Sequence, residues 1–225
     1  RTDAIREHGG YTYECPTLDI KPTHIDLSHE PWIYSASTRF IFISPNAVDY
    51  FFEKVNNLPV LAKIYAIGEG TKSRLLTKGL KVQATTAKAT SEDFLKQADL
   101  LDIHNEQIVI IKGIGGRTLI EETLKHRGAH VKTLSVYQRN PIPIDVHRLM
   151  DVWQNKGIDI ILFTSLESMQ HFHKSLKDFI PKLIEKPCVV LSERLALIAH
   201  QMGYQAVLVS EPSAILKTLE SYVKR

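Results

Sequence analysis

One junction is written twice in this chain. At Phe40–Phe52, FIFISPNAVDYFF runs from an apolar stretch through Ser-Pro-Asn straight into a second apolar pattern. At Asp159–Phe172, DIILFTSLESMQHF does the same. Ser44 and Ser165 stand 121 residues apart, each with a Phe two residues before it (Phe42, Phe163) and another seven after (Phe51, Phe172). A short apolar run that ends at a hydroxyl and passes into helical spacing reads as a strand feeding a helix through a cap.

The duplication extends further. Ile64–Val82 (IYAIGEGTKSRLLTKGLKV) and Cys188–Val207 (CVVLSERLALIAHQMGYQAV) align Gly68 with Ser192, Thr71 with Leu195 and Gly79 with Gly203, each 124 apart. A third unit is Glu106–Asn140, whose later half resembles the N-terminal RTDAIREHGGYTYECPTLDI. Arg117 matches Arg1 and Gly128 matches Gly10, with a strand expected after each Gly. The strand QIVIIKG has no counterpart before Arg1, so the full repeat implies a strand of about five to seven residues ahead of it.

β-branched runs alternating with helical patterns indicate parallel sheets flanked by helices. The runs Phe40–Ile43, Ile108–Lys112, Ile160–Thr164 and Val189–Leu191 are apolar on both faces, as strands covered on both sides are. Helices are expected to close in left-handed caps at Gly79, Gly128 and Gly203. The fold class is therefore α/β, with two similar lobes. Arg139–Ile144, with two prolines and no helical period, and Cys15–Pro22 are expected to be linkers.

Composition narrows the function. The chain has 225 residues, 44% hydrophobic and 24% charged, which suits one large or two small globular domains. No apolar run approaches the roughly 20 residues of a membrane span. A net charge of +3 without a Lys/Arg block argues against a nucleic-acid partner. Cys15 and Cys188 form no CxxC, which points to a reduced, cytoplasmic protein without a disulfide framework.

Ligands of open α/β sheets bind beyond the carboxyl ends of the strands. Ser44, Asn46, Gly68, Thr71 and Gly113 fall there, as do Gly115, Gly116, Ser165, Ser168 and Ser192, with Thr164 beside the second junction. Each strand feeds a helix whose first N–H groups are unpaired and carry partial positive charge, so anions are welcome. Ser, Asn and Thr are also ordinary helix caps, and any one of them alone fits that role. In KGIGGR, Lys112–Arg117, Thr118 replaces the third Gly of a dinucleotide fingerprint and no acid follows about 20 residues on, which disfavours a nucleotide-binding oxidoreductase. Its glycines let backbone N–H groups approach an anion, with Arg117 close by; a turn and a surface Arg explain it equally. His171 and His173 sit two apart, so on a helix they do not face one metal. Tyr137 closes the run TLSVY beside Gln138 and Arg139, where its phenol is either a proton donor or a packed strand residue.

Taken together, FISPNAV, IGEGT, GGRTLIEETLKHRGAHV followed by VYQR, ILFTSLES and LSERLALIA resemble the uroporphyrinogen-III synthase family over nearly the whole chain. That resemblance implies a lyase of the heme pathway with no cofactor and no metal. The substrate would be the linear, eight-fold carboxylate hydroxymethylbilane, closed with loss of water and inversion of ring D. It implies two flavodoxin-like or Rossmann-like lobes joined by a two-stranded ladder that the chain crosses twice, with the substrate in the interlobe cleft. One lobe would be residues 1–18 with 141–225 and the other 19–140, with linkers near 15–22 and 137–144. The family's tyrosine falls on Tyr137 and its threonine on Thr71, as catalytic candidates. Where the family often carries GxTT this chain has SERLA, so binding there passes to Ser192 and Arg194. A monomer is expected, since no heptad or exposed apolar stripe is visible. The preceding pathway enzyme, hydroxymethylbilane synthase, is a candidate partner. The rival reading is a two-lobed binding protein for an anionic small molecule that performs no chemistry.

Overall fold

The computed structural model describes residues 2–27, 30–85 and 90–223. In chain order the elements are α1 (Thr2–Glu7), β1 (Leu18–Pro22), β2 (Arg39–Phe42), α2 (Pro45–Phe52), β3 (Lys63–Ala66), α3 (Glu69–Thr77), β4 (Ala84–Thr85), α4 (Ser91–Phe94), β5 (Gln107–Gly113), α5 (Leu119–His126) and β6 (His130–Pro141). Then come α6 (Val146–Lys156), β7 (Ile161–Phe163), α7 (Leu166–Ser175), α8 (Ile180–Ile184), β8 (Cys188–Val190), α9 (Glu193–Gln201), β9 (Val207–Val209) and α10 (Ile215–Val223). The chain divides into two compact units, Arg1–Asp19 with Pro141–Arg225, and Ile20–Asn140.

The 20–140 unit is built on a six-stranded sheet in the order β1-β6-β5-β2-β3-β4. β2 runs parallel to both β3 and β5, with Phe40 opposite Ile64 and Val109, and the pairs β3–β4 and β5–β6 are parallel too. The period-2 alternation of side chains splits the core into two layers. Phe40, Phe42, Ile64, Val109 and Ile111 pack on one face with Ala47, Val48 and Phe51 of α2. Ile41, Tyr65, Ile108 and Ile110 pack on the other with Phe94 and Leu124. The chain goes from β2 outward to β3 and β4, then returns to β5 and β6 on the other side. That makes the β2/β5 boundary the topological switch point, where such sheets hold ligands.

Each expected linker is partly strand, as the two-stranded ladder implied by the resemblance requires. Leu18–Pro22 is β1, and β6 continues through Tyr137 to Pro141. The Thr23 N–H donates to the Val136 carbonyl at 3.1 Å and the Ile142 N–H to the Thr17 carbonyl at 2.9 Å, an antiparallel pairing. The prolines suggested loops, but Pro22 and Pro141 sit at strand ends, where a missing N–H breaks no ladder bond. The unit boundaries fall inside these two strands.

In the other unit the sheet is β7-β8-β9, all parallel, with Phe163, Met169, Cys188, Val190, Leu195 and Tyr204 in its core. Burial pushes the Cys188 thiol up to about 11, so at neutral pH it behaves as a small apolar residue. Gly79, Gly128 and Gly203 each follow a helix with positive φ, as expected. The strand expected after Gly10 is absent among the described residues, where chain without assigned helix or strand runs to β1 at Leu18.

Candidate functional site

A hydrogen-bonded cluster of the 20–140 unit lies at its switch point. β2 ends at Phe42, and Ser44 caps α2 by accepting the Ala47 N–H at 3.1 Å, with Pro45 preset for the first turn. Next to it, β5 ends at Gly113. The β5–β6 register shifts between Lys112 and Gly113, which sets Gly113 opposite Tyr137. A Cβ on Gly113 would stand 2.6 Å from two atoms of the Tyr137 ring, so only glycine lets the ring lie there. The Tyr137 hydroxyl is 3.0 Å from Ser44 Oγ and accepts from Arg139 Nη2 at 2.8 Å. Tyr50 of α2 stacks on the ring at 5.8 Å between centroids. The expected strand-end phenol is thus a mid-strand residue only 1% exposed. Ser44, whose hydroxyl it meets, is half-buried.

The remaining candidates in this unit divide. Gly68, at φ +80, rather than Thr71, caps α3; Thr71 lies inside the first turn and is 2% exposed, so its hydroxyl is not presented at the surface. Asn46 is half-buried in the first turn of α2. Gly115 and Gly116 are exposed, with open space where a Cβ would be. Lys112 Nζ donates to the Arg117 carbonyl at 3.3 Å. Arg117 is already paired with Glu92 of α4 at 2.5 Å, and that hydrogen bond holds the Glu92 carboxyl below its usual range. An incoming anion therefore competes with Glu92 for it.

In the other unit, Ser165 caps α7 by accepting the Ser168 N–H at 3.1 Å, and Ser192 caps α9 by accepting the Leu195 N–H at 3.2 Å. The two helix starts converge. Thr164, Ser165, Ser192 and Arg194 line one pocket of about 250 Å³, floored by Leu166, Leu191, Leu195 and Ile198. Hydroxyls, a guanidinium and two helix N-termini make this a place for carboxylate. Ser168 is diverted, since its hydroxyl pairs with Thr17 Oγ1 at 2.5 Å. His171 meets the Ile142 carbonyl, and His173 is buried against Tyr204. Among the described residues, no three His, Cys, Asp or Glu side chains gather as a metal-ligating group, and no helix is long and apolar enough to cross a membrane.

The family model for uroporphyrinogen-III synthase HemD matches residues 2–216. The chain belongs to the uroporphyrinogen-III synthase family. It is 32% identical to the uroporphyrinogen-III synthase of Escherichia coli, over 96% of this chain and 93% of the relative. It is 31% identical to that of Salmonella typhimurium, over 73% and 69%. The fold is that of uroporphyrinogen III synthase from Thermus thermophilus, at a TM-score of 0.66 and 17% identity over 99% of this chain and 92% of that one. The Helicobacter pylori enzyme gives 0.64 and 17% over 92% and 90%. As a member of the uroporphyrinogen-III synthase family, the chain is a cyclising lyase of porphyrin biosynthesis.

The sequence left two members of the cluster unassigned, Tyr50 and Arg139. Arg139 was findable, because residues two apart on a strand share a face with Tyr137. Tyr50 carried no signal, since its stacking depends on how α2 packs on the sheet.

Proposed function

We propose that this chain closes hydroxymethylbilane to uroporphyrinogen III, expelling water and inverting ring D. The observation that carries the reading is 32% identity to the Escherichia coli synthase across 96% of the chain. The chemistry of the turns supports it. A substrate with eight carboxylates is recognised by backbone N–H groups and hydroxyls at strand-to-helix turns, without a strongly basic protein. Ser44, Asn46, Gly68 and the 113–117 turn offer these donors in one unit, and Thr164, Ser165, Ser192 and Arg194 in the other. Thr71, closed inside α3, supports the fold of that turn.

The reaction needs orientation more than power. The pyrrole nitrogen expels the terminal hydroxyl, and ring D attacks the resulting azafulvene through its substituted carbon. The spiro intermediate then fragments and recloses at the other carbon. Unattended, the chain closes without inversion, so holding the near-attack geometry is the main contribution. Ser44, backed by Tyr137, supplies the proton to the departing hydroxyl. The protein works as a cytoplasmic monomer and receives its short-lived substrate from hydroxymethylbilane synthase.

The test is to supply hydroxymethylbilane, oxidise the products and separate isomers I and III. Isomer III in excess is the expected result. Isomer I alone, at the spontaneous rate, would leave a protein that binds an anionic molecule and performs no chemistry.

A further inference from the structure

Arg139 lies two residues beyond Tyr137 on β6. Its Nη2 donates to the Tyr137 oxygen at 2.8 Å, and its guanidinium carbon is 5.1 Å from the ring centroid. Ser44 Oγ is 3.0 Å from the same oxygen and already accepts the Ala47 N–H. A guanidinium only donates, so the phenol oxygen is the acceptor of the Arg139 bond. The phenol's own proton is then free to be donated to Ser44 Oγ, and in that arrangement the Ser44 proton points away from both. Gly113 and the stacked Tyr50 confine the ring, so the phenol oxygen stays between Arg139 and Ser44.

We infer that Arg139 is a positioning residue for the cyclisation and acts through Tyr137. It turns the phenol proton toward Ser44 and stabilises the phenolate left behind. The inference rests on the proposed reaction. The Tyr137 proton moves to Ser44 Oγ as the Ser44 proton moves to the substrate hydroxyl. The C–O bond breaks, its electron pair leaves with water, and the nitrogen lone pair completes the new C=N bond. The proton released as the macrocycle regains aromaticity returns to the phenolate, so no further reactant is consumed.

The experiment compares Arg139→Met, Arg139→Lys, Tyr137→Phe and the double variant Tyr137→Phe/Arg139→Met, with kcat, KM and melting curves for each. Arg139→Met is expected to lower kcat about tenfold with KM nearly unchanged, because it weakens a proton transfer and not binding. Arg139→Lys recovers part of the loss. The double variant matches Tyr137→Phe within about twofold, since the phenol oxygen that the guanidinium acts through is already gone. A raised KM with kcat intact would make Arg139 a carboxylate-binding residue and overturn the inference. Multiplied losses in the double variant would overturn it as well, as would full activity in Arg139→Met. If Arg139→Met melts below the assay temperature, Arg139→Lys carries the same comparison, alone and with Tyr137→Phe. Wild-type protein that makes no isomer III defeats the reaction itself, whereas isomer III made at full rate by Tyr137→Phe defeats the relay, Tyr137 and Arg139 together, and leaves the reaction standing.

Discussion

Tyr137 joins a strand-borne guanidinium to the cap of α2 through one oxygen. Tyr137→Phe deletes that oxygen and keeps the ring, so it is expected to cost about 1 kcal/mol of stability. The rate should fall by an amount toward the lower end of about 10²–10⁴-fold, with isomer III still the main enzymatic product because geometry sets the inversion. Rate, isomer ratio and melting curve check this together. Gly113→Ala presses a Cβ to 2.6 Å from the ring, and overpacking of this kind costs about 1–3 kcal/mol. Its activity should fall at least as far as that of Tyr137→Phe, read in the same assay. His173 predicts a pH effect. Burial lowers its pKa below the ordinary value of 6.5. The unfolded chain therefore takes up the proton first as pH falls, and stability declines below about 6.5 until the folded imidazole also titrates. Melting temperatures measured from pH 7 downward should drop less steeply in His173→Gln than in the wild type.

Among the elements, caps were the most legible feature. Ser44, Ser165 and Ser192 all cap the helices their sequence contexts predicted, because a cap needs only its own residue and the N–H three positions on. Ser165→Ala and Ser192→Ala are each expected to cost about 1 kcal/mol and to raise KM more than they lower kcat, in steady-state assays paired with denaturant melts. Gly128, just past α5, combines φ +83, which side chains rarely adopt, with a Cβ position 2.3 Å from Nδ1 of the exposed His104, so a side chain there is strained and displaces His104. β1, and β6 beyond Tyr137, were read from the residues as linkers for the opposite reason. Their ladder pairs Thr23 with Val136 and Thr17 with Ile142, and no local pattern records a partner that far away.

At the scale of the molecule, the N-terminal segment belongs with the C-terminal half. Tyr13 and Cys15 pack against the core that holds Phe163, Cys188 and Tyr204. Residues 20–140 expressed alone are therefore expected to melt cooperatively by circular dichroism, whereas 141–225 without 1–19 should not; a non-cooperative 20–140 would refute this division. The sequence by itself determined the α/β class, the repeated strand-to-helix junctions and the family, because periodicity and capping are written within a dozen residues. Only the tertiary structure decided which hydroxyls and cations stay available. Ser44 meets Tyr137 across 93 positions, Arg117 meets Glu92 across 25, and Ser168 meets Thr17 across 151. Each such pairing spends or directs a donor, and it exists only once the packed core has brought distant segments within hydrogen-bond reach.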